Sequence, residues 1–218
     1  FVDGSKTMVE MCAIANATGL VPDKPGMHGP KADRDQMVKV LIPKADGGIL
    51  DKKGVVDFTV GKGVAPGVFV IVEAEHPRII ERMDDLHVGI GPYYSFFRPY
   101  HLTSLEVPLT AARIMLYGKP DMVPLPNPVA EGCAVAKRDL AIGERFDAIG
   151  ETCYRSFILT TGDARAQHAV PVGLLEGGKV IAPVKKGELL TRRNAAPDTT
   201  TRLYALRQRQ DQMFGVTE

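Results

Sequence analysis

The stretch Lys119-Pro-Asp-Met-Val-Pro-Leu-Pro-Asn-Pro128 divides the chain into two halves of different texture. Its four prolines fix their own φ and donate no backbone hydrogen bond, so it reads as a stiff, extended linker. Before it, helical periods alternate with runs of Val, Ile and Phe. After it the helical period is lost, and short extended segments at 133–136, 155–160, 167–171 and 179–184 are separated by Gly143, Gly150, Gly162, Gly173, Gly177 and Gly178. Short strands at even spacing with glycine turns mark a compact β module. The pattern predicts an α+β chain of two domains, 1–128 and 129–218, with the boundary inside 124–131. A closing helix is expected over 200–214, with Leu203, Leu206, Gln210 and Met213 along one side.

Working back from the linker, Thr103-Ser-Leu-Glu106 has the capping-box pattern and opens a helix through Tyr117, with Pro108 early in it. Strands are expected at 55–60, 67–75 and 93–98, and Pro77 suits the first turn of a helix over 77–86. A short helix is expected at 32–41. The first helix begins with Ser5 as N-cap, carries Met8, Met11, Cys12, Ile14 and Ala15 at helical spacing, and ends at Gly19. A loop rich in Pro and Gly follows and contains His28.

Over 218 residues, 27 basic side chains nearly balance 26 acidic ones, a net charge of +1 that gives no electrostatic case for nucleic acid as a partner. The longest apolar run, Val68-Phe-Val-Ile-Val72, is far short of the roughly 20 residues that span a bilayer, so no membrane partner is expected. Cys12, Cys133 and Cys153 are odd in number and form no Cys-x-x-Cys pair, which points to a reducing, cytoplasmic location. Gly61-Lys-Gly-Val-Ala-Pro-Gly67 lacks the Gly-x-Gly-x-x-Gly spacing and joins two expected strands. It reads as a strand connection, or alternatively as a loop that presents Lys62 to a substrate phosphate.

Two constellations could carry chemistry. Asp3-Gly-Ser-Lys6 leads into the first helix, and Glu10 lies one turn after Lys6 on the same face. The simple reading is an exposed ion pair. The chemical reading has Lys6 donate a proton or stabilise an oxyanion while Asp3 or Glu10 binds substrate hydroxyls or a metal. Gly91-Pro-Tyr-Tyr-Ser-Phe-Phe-Arg-Pro-Tyr-His-Leu-Thr103 concentrates Tyr94, Arg98 and His101 at a helix start, where an anionic ligand is favoured; a structural Arg–carboxylate pair is the alternative.

At these residues the chain resembles a known family. Asp3-Gly-Ser-Lys-Thr-Met-Val-Glu10 and Tyr94 through Arg113 are similar to homoserine dehydrogenase-like oxidoreductases, among them the deoxyxylulose phosphate reductoisomerase-like enzymes. Gly132-Cys-Ala-Val-Ala-Lys-Arg-Asp-Leu-Ala-Ile-Gly143 and Pro183-Val-Lys-Lys-Gly-Glu-Leu-Leu190 resemble SAF domains, small β-clip modules. The resemblance implies a central α/β catalytic and dimerisation-type domain followed by the SAF module and a C-terminal helix. It also implies an N-terminal Rossmann domain that this sequence lacks, so the chain, starting at Phe1, is expected to be a fragment that is inactive alone.

On the same resemblance, Asp3, Lys6 and Glu10 belong to the catalytic helix, while Arg98 and His101 help bind the substrate's phosphate or hydroxyls; Tyr94, Lys62 and His28, a lone histidine more often structural than catalytic, are further candidate substrate-binding residues. The implied activity is NAD(P)-dependent oxidoreduction of a small polyhydroxylated or phosphorylated carbonyl compound, with the cofactor held mainly by the absent domain. A divalent metal would belong to the reductoisomerase version. A homo-oligomer is expected. The alternative is a non-catalytic carbohydrate-binding or assembly module built on the SAF segment.

Overall fold

A computed structural model of the chain describes residues 3–100 and 102–216. In chain order its helices are α1 (Ser5–Thr18), α2 (Met37–Val40), α3 (Pro77–Asp85), α4 (Thr103–Tyr117), α5 (Thr161–Ala166) and α6 (Arg202–Met213). Its strands are β1 (Val21–Pro22), β2 (Val55–Val56), β3 (Gly67–Glu73), β4 (Tyr93–Pro99), β5 (Ala130–Ala136), β6 (Tyr154–Thr160), β7 (Lys179–Val180) and β8 (Ala195–Ala196). The fold is α+β, as expected.

The chain does not divide at the proline stretch alone. One compact unit joins Phe1–Met27 to Pro124–Glu218, and the other is His28–Val123. The expected bounds of 1–128 and 129–218 differ from this because α1 packs on β5 and β6 rather than on its sequence neighbours.

In the first unit β5 and β6 form an antiparallel pair, with Ala130 opposite Thr160 and Ala136 opposite Tyr154. Single bridges at Val135–Leu189, Leu140–Val184 and Ala169–Thr191, with the short β7–β8 pair, complete a turn-rich β module. Its core holds Tyr154, Leu175, Val180, Val184 and Leu190, all at most 2% exposed. α1 ends as expected at Gly19, which takes the left-handed conformation and donates its N–H to the Ala15 carbonyl. Its start differs from expectation. Gly4, at φ 79°, is the N-cap, and Ser5 is the first helical residue. The Ser5 N–H is held by Asp3 Oδ1 at 2.9 Å, and Ser5 Oγ accepts the Ser156 N–H at 3.0 Å, so the hydroxyl serves a distant strand instead of its own helix.

The proline stretch is not a free linker at its C-terminal end. Asn16 Oδ1 accepts the N–H groups of Val129 and Ala130 at 2.8 and 3.0 Å, and its Nδ2 donates to the Ala130 carbonyl at 3.0 Å. Leu125 N–H donates to the Asn16 carbonyl at 2.7 Å. One α1 side chain thus does the work of a strand partner for a segment whose prolines cannot fill a ladder.

α6 also turns another face inward than the sequence suggested. Leu203, Leu206 and Met213 are exposed, whereas Tyr204 is buried. Arg207 lies on the inward side because its guanidinium bonds Glu131 at 2.7 Å and Asp211 at 2.8 Å. Paired charges outweigh the apolar stripe in setting the helix orientation.

In the second unit β3 and β4 pair antiparallel, from Gly67 opposite Pro99 to Glu73 opposite Tyr93. The inward residues Phe69, Ile71 and Phe97 pack on Met37, Leu41 and Leu50. Val68, Val70 and Phe96 on the other face are exposed. The expected helix at 32–41 contracts to the single turn α2, and the expected strand at 55–60 to β2. Here backbone bonds to side chains replace regular ladders: Asp57 collects the N–H groups of His28, Gly29 and Phe58. α3 starts at Pro77 as expected, capped by His76 Nδ1, which accepts the Arg78 N–H. α4 starts one residue before the expected cap, with Leu102 at the N-cap, and Glu106 Oε2 accepts the Leu102 N–H at 3.0 Å. Pro108 therefore lies past the first turn, where its missing N–H leaves the Ser104 carbonyl without its helical donor.

Candidate functional site

The residues singled out from the sequence fall into both units, and each group is described within its own. In the first unit Asp3, Lys6 and Glu10 share the start of α1. Lys6 Nζ stands 3.6 Å from Glu10 Oε1, and both side chains are 47% exposed. The i, i+4 spacing places them together as anticipated, with a cation at the solvent-facing surface of the helix's first turn.

Asp3 is held differently. Its Oδ2 accepts a hydrogen bond from Lys137 Nζ at 2.9 Å, and Lys137 also donates to the carbonyls of Gly150 and Glu151. Burial would raise the Asp3 pKa, but the hydrogen bonds from Lys137 and Ser5 outweigh it and hold the carboxyl at about 2. Asp3 is thus an ionised anchor of the α1 start, with only 14% of its side chain exposed. Sequence spacing gave no sign of Lys137 as its partner, since the two are 134 residues apart.

This anchor has a pH signature. A carboxylate whose folded pKa lies below its unfolded value stabilises the fold above the unfolded value and loses that contribution as pH falls through the folded one. The Asp3 contribution is therefore complete above about pH 4 and lost towards about pH 2, amounting to about 1–2 kcal/mol after partial solvent screening. Urea titrations across that range are expected to show a smaller acid loss in Lys137→Met than in the parent. Identical acid limbs would show that the pair is not formed.

Among the other ionisable groups of this unit, burial and then the neighbouring Glu131 push the Cys12 thiol up to about 11. Burial likewise raises Cys133. Both are poor nucleophiles, in keeping with a packing role.

In the second unit, Tyr94 is fully buried, and its hydroxyl donates to Asp84 Oδ1 at 2.8 Å beside the Ile80 carbonyl. Burial, reinforced by Asp84, raises its pKa. Its geometry ties β4 to α3 and leaves no surface for a ligand, so substrate contact through Tyr94 is corrected to a packing position. Arg98 lies on the same sheet face and pairs with Glu106; its side chain is exposed. The alternative reading expected such a pair to be buried; it forms here at an exposed guanidinium. His101 lies outside the described residues. His28 sits in the loop fastened by Asp57, its N–H donating to Asp57 Oδ2 at 3.0 Å.

Lys62 is where a cavity forms. Because side chains alternate along a strand, Ser95 and Phe97 point to the face opposite Tyr94 and Arg98. There, with Asp33, Arg34, Asp35, Lys62 and Val88, they line an open depression of about 430 Å³. The glycine-rich loop makes it possible. A Cβ at Gly61 would meet the Ala32 carbonyl oxygen at 2.2 Å, and one at Gly67 would meet the Phe97 ring at 2.3 Å. The Lys62 N–H bonds Asp33 Oδ1 at 2.8 Å, and the Lys62 carbonyl accepts the Arg34 N–H at 3.1 Å. Arg34 Cζ lies 4.3 Å from the centroid of the Phe97 ring. A second depression of about 400 Å³ adjoins the end of α4, but its Arg113 and Asp121 already bond each other.

Residues 1–107 match the family model for the catalytic domain of oxidoreductase DRL. The match supports an oxidoreductase catalytic domain in the first half of the chain. It spans Asp3, Lys6 and Glu10 as well as every residue lining the depression at Lys62, and it ends within α4. No curated protein matches the chain significantly.

The glycine-rich loop of the matched stretch runs into β3, and no Gly-x-Gly-x-x-Gly turn opens a helix among the described residues. Nor do three His, Cys, Asp or Glu side chains converge to hold a metal among them. No helix of the described residues is long and apolar enough to cross a membrane.

Proposed function

We propose that the matched stretch is the substrate-handling part of an NAD(P)-dependent oxidoreductase, acting on a small carbonyl compound that carries hydroxyl or anionic groups. The observation that carries this reading is the coverage of the family match, which includes both the Lys6–Glu10 face of α1 and the depression at Lys62. In this reading the dinucleotide is held mainly by another part of the enzyme.

Reduction of a carbonyl to an alcohol requires a proton at the oxygen, and a solvent-facing ammonium is a competent donor. Lys6 holds that proton at Nζ, with Glu10 Oε1 3.6 Å away one turn along the helix. In the reverse direction the same amine accepts the hydroxyl proton. The β module supports α1 through Ser156, Ala130 and Lys137, which favours this reading over an independent carbohydrate-binding module.

The test uses the enzyme that carries the chain together with its cofactor-binding part. Nicotinamide absorbance is followed with small hydroxyaldehydes, hydroxyketones and their phosphates, and consumption of reduced cofactor with at least one class is expected. Absence of turnover with all of them, in protein shown to bind the dinucleotide, overturns the proposal.

A further inference from the structure

We infer that the depression beside β4 binds a small carboxylate bearing an adjacent hydrogen-bond donor, a hydroxyl or an ammonium group, with Arg34 as the carboxylate ligand. Its identification as a substrate subsite rests on the oxidoreductase reading; the binding itself does not.

Arg34, Lys62, Asp33 and Asp35 all line one open depression of about 430 Å³, within the range that holds a small metabolite. Arg34 has no ion pair among the described residues, and its guanidinium carbon lies over the Phe97 ring, 4.3 Å from the centroid. A planar guanidinium matches a carboxylate through two parallel hydrogen bonds. Lys62 comes from a loop fixed at its backbone by Asp33 and Arg34, which places a second positive charge at the same rim.

The acids decide the ligand class. Asp33 and Asp35 stand in the same lining, so the site as a whole carries no net positive charge. A dianionic phosphate ester meets as much repulsion as attraction there. A monoanionic carboxylate with a neighbouring donor satisfies both signs: the carboxylate faces Arg34 and Lys62, and the hydroxyl or ammonium faces Asp33 or Asp35. Ser95 adds a neutral hydroxyl, while Val88 and Phe97 supply an apolar wall.

Calorimetry on the full chain separates these possibilities with D-glycerate, L-serine, glycerol 3-phosphate and inorganic phosphate as probes. Glycerate or serine is expected to bind, at least about tenfold more tightly than glycerol 3-phosphate, and Arg34→Ala to weaken that binding about tenfold or more. Glycerate ahead of serine identifies the donor as a hydroxyl, and the reverse order as an ammonium. Arg34→Lys, which keeps the charge but loses the fork, is expected to restore only part of the affinity. Tighter binding of either phosphate compound, equal binding by Arg34→Ala, or no heat with any probe overturns the inference. Circular dichroism of each variant shows whether its fold is kept. If these carboxylates bind but the enzyme reduces no carbonyl compound, the subsite stands and the oxidoreductase reading fails. If the enzyme reduces a carbonyl compound and no carboxylate binds, the oxidoreductase reading stands and the subsite fails.

Discussion

Replacing Lys6 by alanine in the enzyme that carries this chain is expected to lower turnover about 100-fold with little change in stability. The two halves of that expectation have separate physical causes. Lys6 is about half exposed on the first turn of α1, so its removal opens no cavity and the stability change is expected to stay within about 0.5 kcal/mol. The proton it holds is needed only when a carbonyl oxygen gains charge, so its loss falls on kcat more than on KM. Lys6→Arg keeps the positive charge but gives up its proton far less readily, and is expected to recover substrate binding without recovering rate. A loss of less than about tenfold in Lys6→Ala removes Lys6 from the chemistry.

The second large effect concerns stability. Asn16→Ala is expected to destabilise the first unit by about 3 kcal/mol, because it strands two backbone N–H groups and one carbonyl in a partly buried seam. Urea unfolding should show a lower midpoint with an unchanged slope, and the melting temperature should fall by roughly 10 °C. Asn16→Asp is the informative control. It keeps the acceptor for Val129 and Ala130 but loses the donor to the Ala130 carbonyl, and is expected to cost less than the alanine variant at neutral pH. A change of under about 0.5 kcal/mol in Asn16→Ala would mean that water replaces the side chain there.

Much of the architecture was legible in the sequence, for a common reason. The end of α1 at Gly19, the start of α3 at Pro77 and the strands β3 and β4 are all decided by backbone preference or by side-chain period within a few residues. The pairing of Lys6 with Glu10 is local in the same sense. What escaped is tertiary. Asn16 binds residues 113 and 114 positions away, Lys137 binds Asp3 across 134, and Ser5 serves Ser156 across 151. No periodicity records such bonds, and each moved a residue from its local role to a distant one. Arg34 escaped for a different reason. Flanked by Asp33 and Asp35, it reads as part of a mixed-charge solvated run, and only the stacking on Phe97 sets it apart. Tyr94 was misread because an aromatic-rich strand presents alternate residues to opposite faces, and this one is turned inward against α3.

The division of the first unit between the two ends of the chain has a consequence during synthesis. α1 leaves the ribosome before the strands it packs against, β5 and β6, which follow only after the whole of His28–Val123. At about 5–20 residues per second, α1 waits roughly 10 s or more without its packing partner. During that interval His28–Val123 is free to fold in the order of its sequence, while Met8 and Ala15, both buried in the finished fold, stay exposed to the cell. Chaperone capture of the nascent chain should therefore be strongest before Thr160 emerges and should decline once β6 has closed over α1.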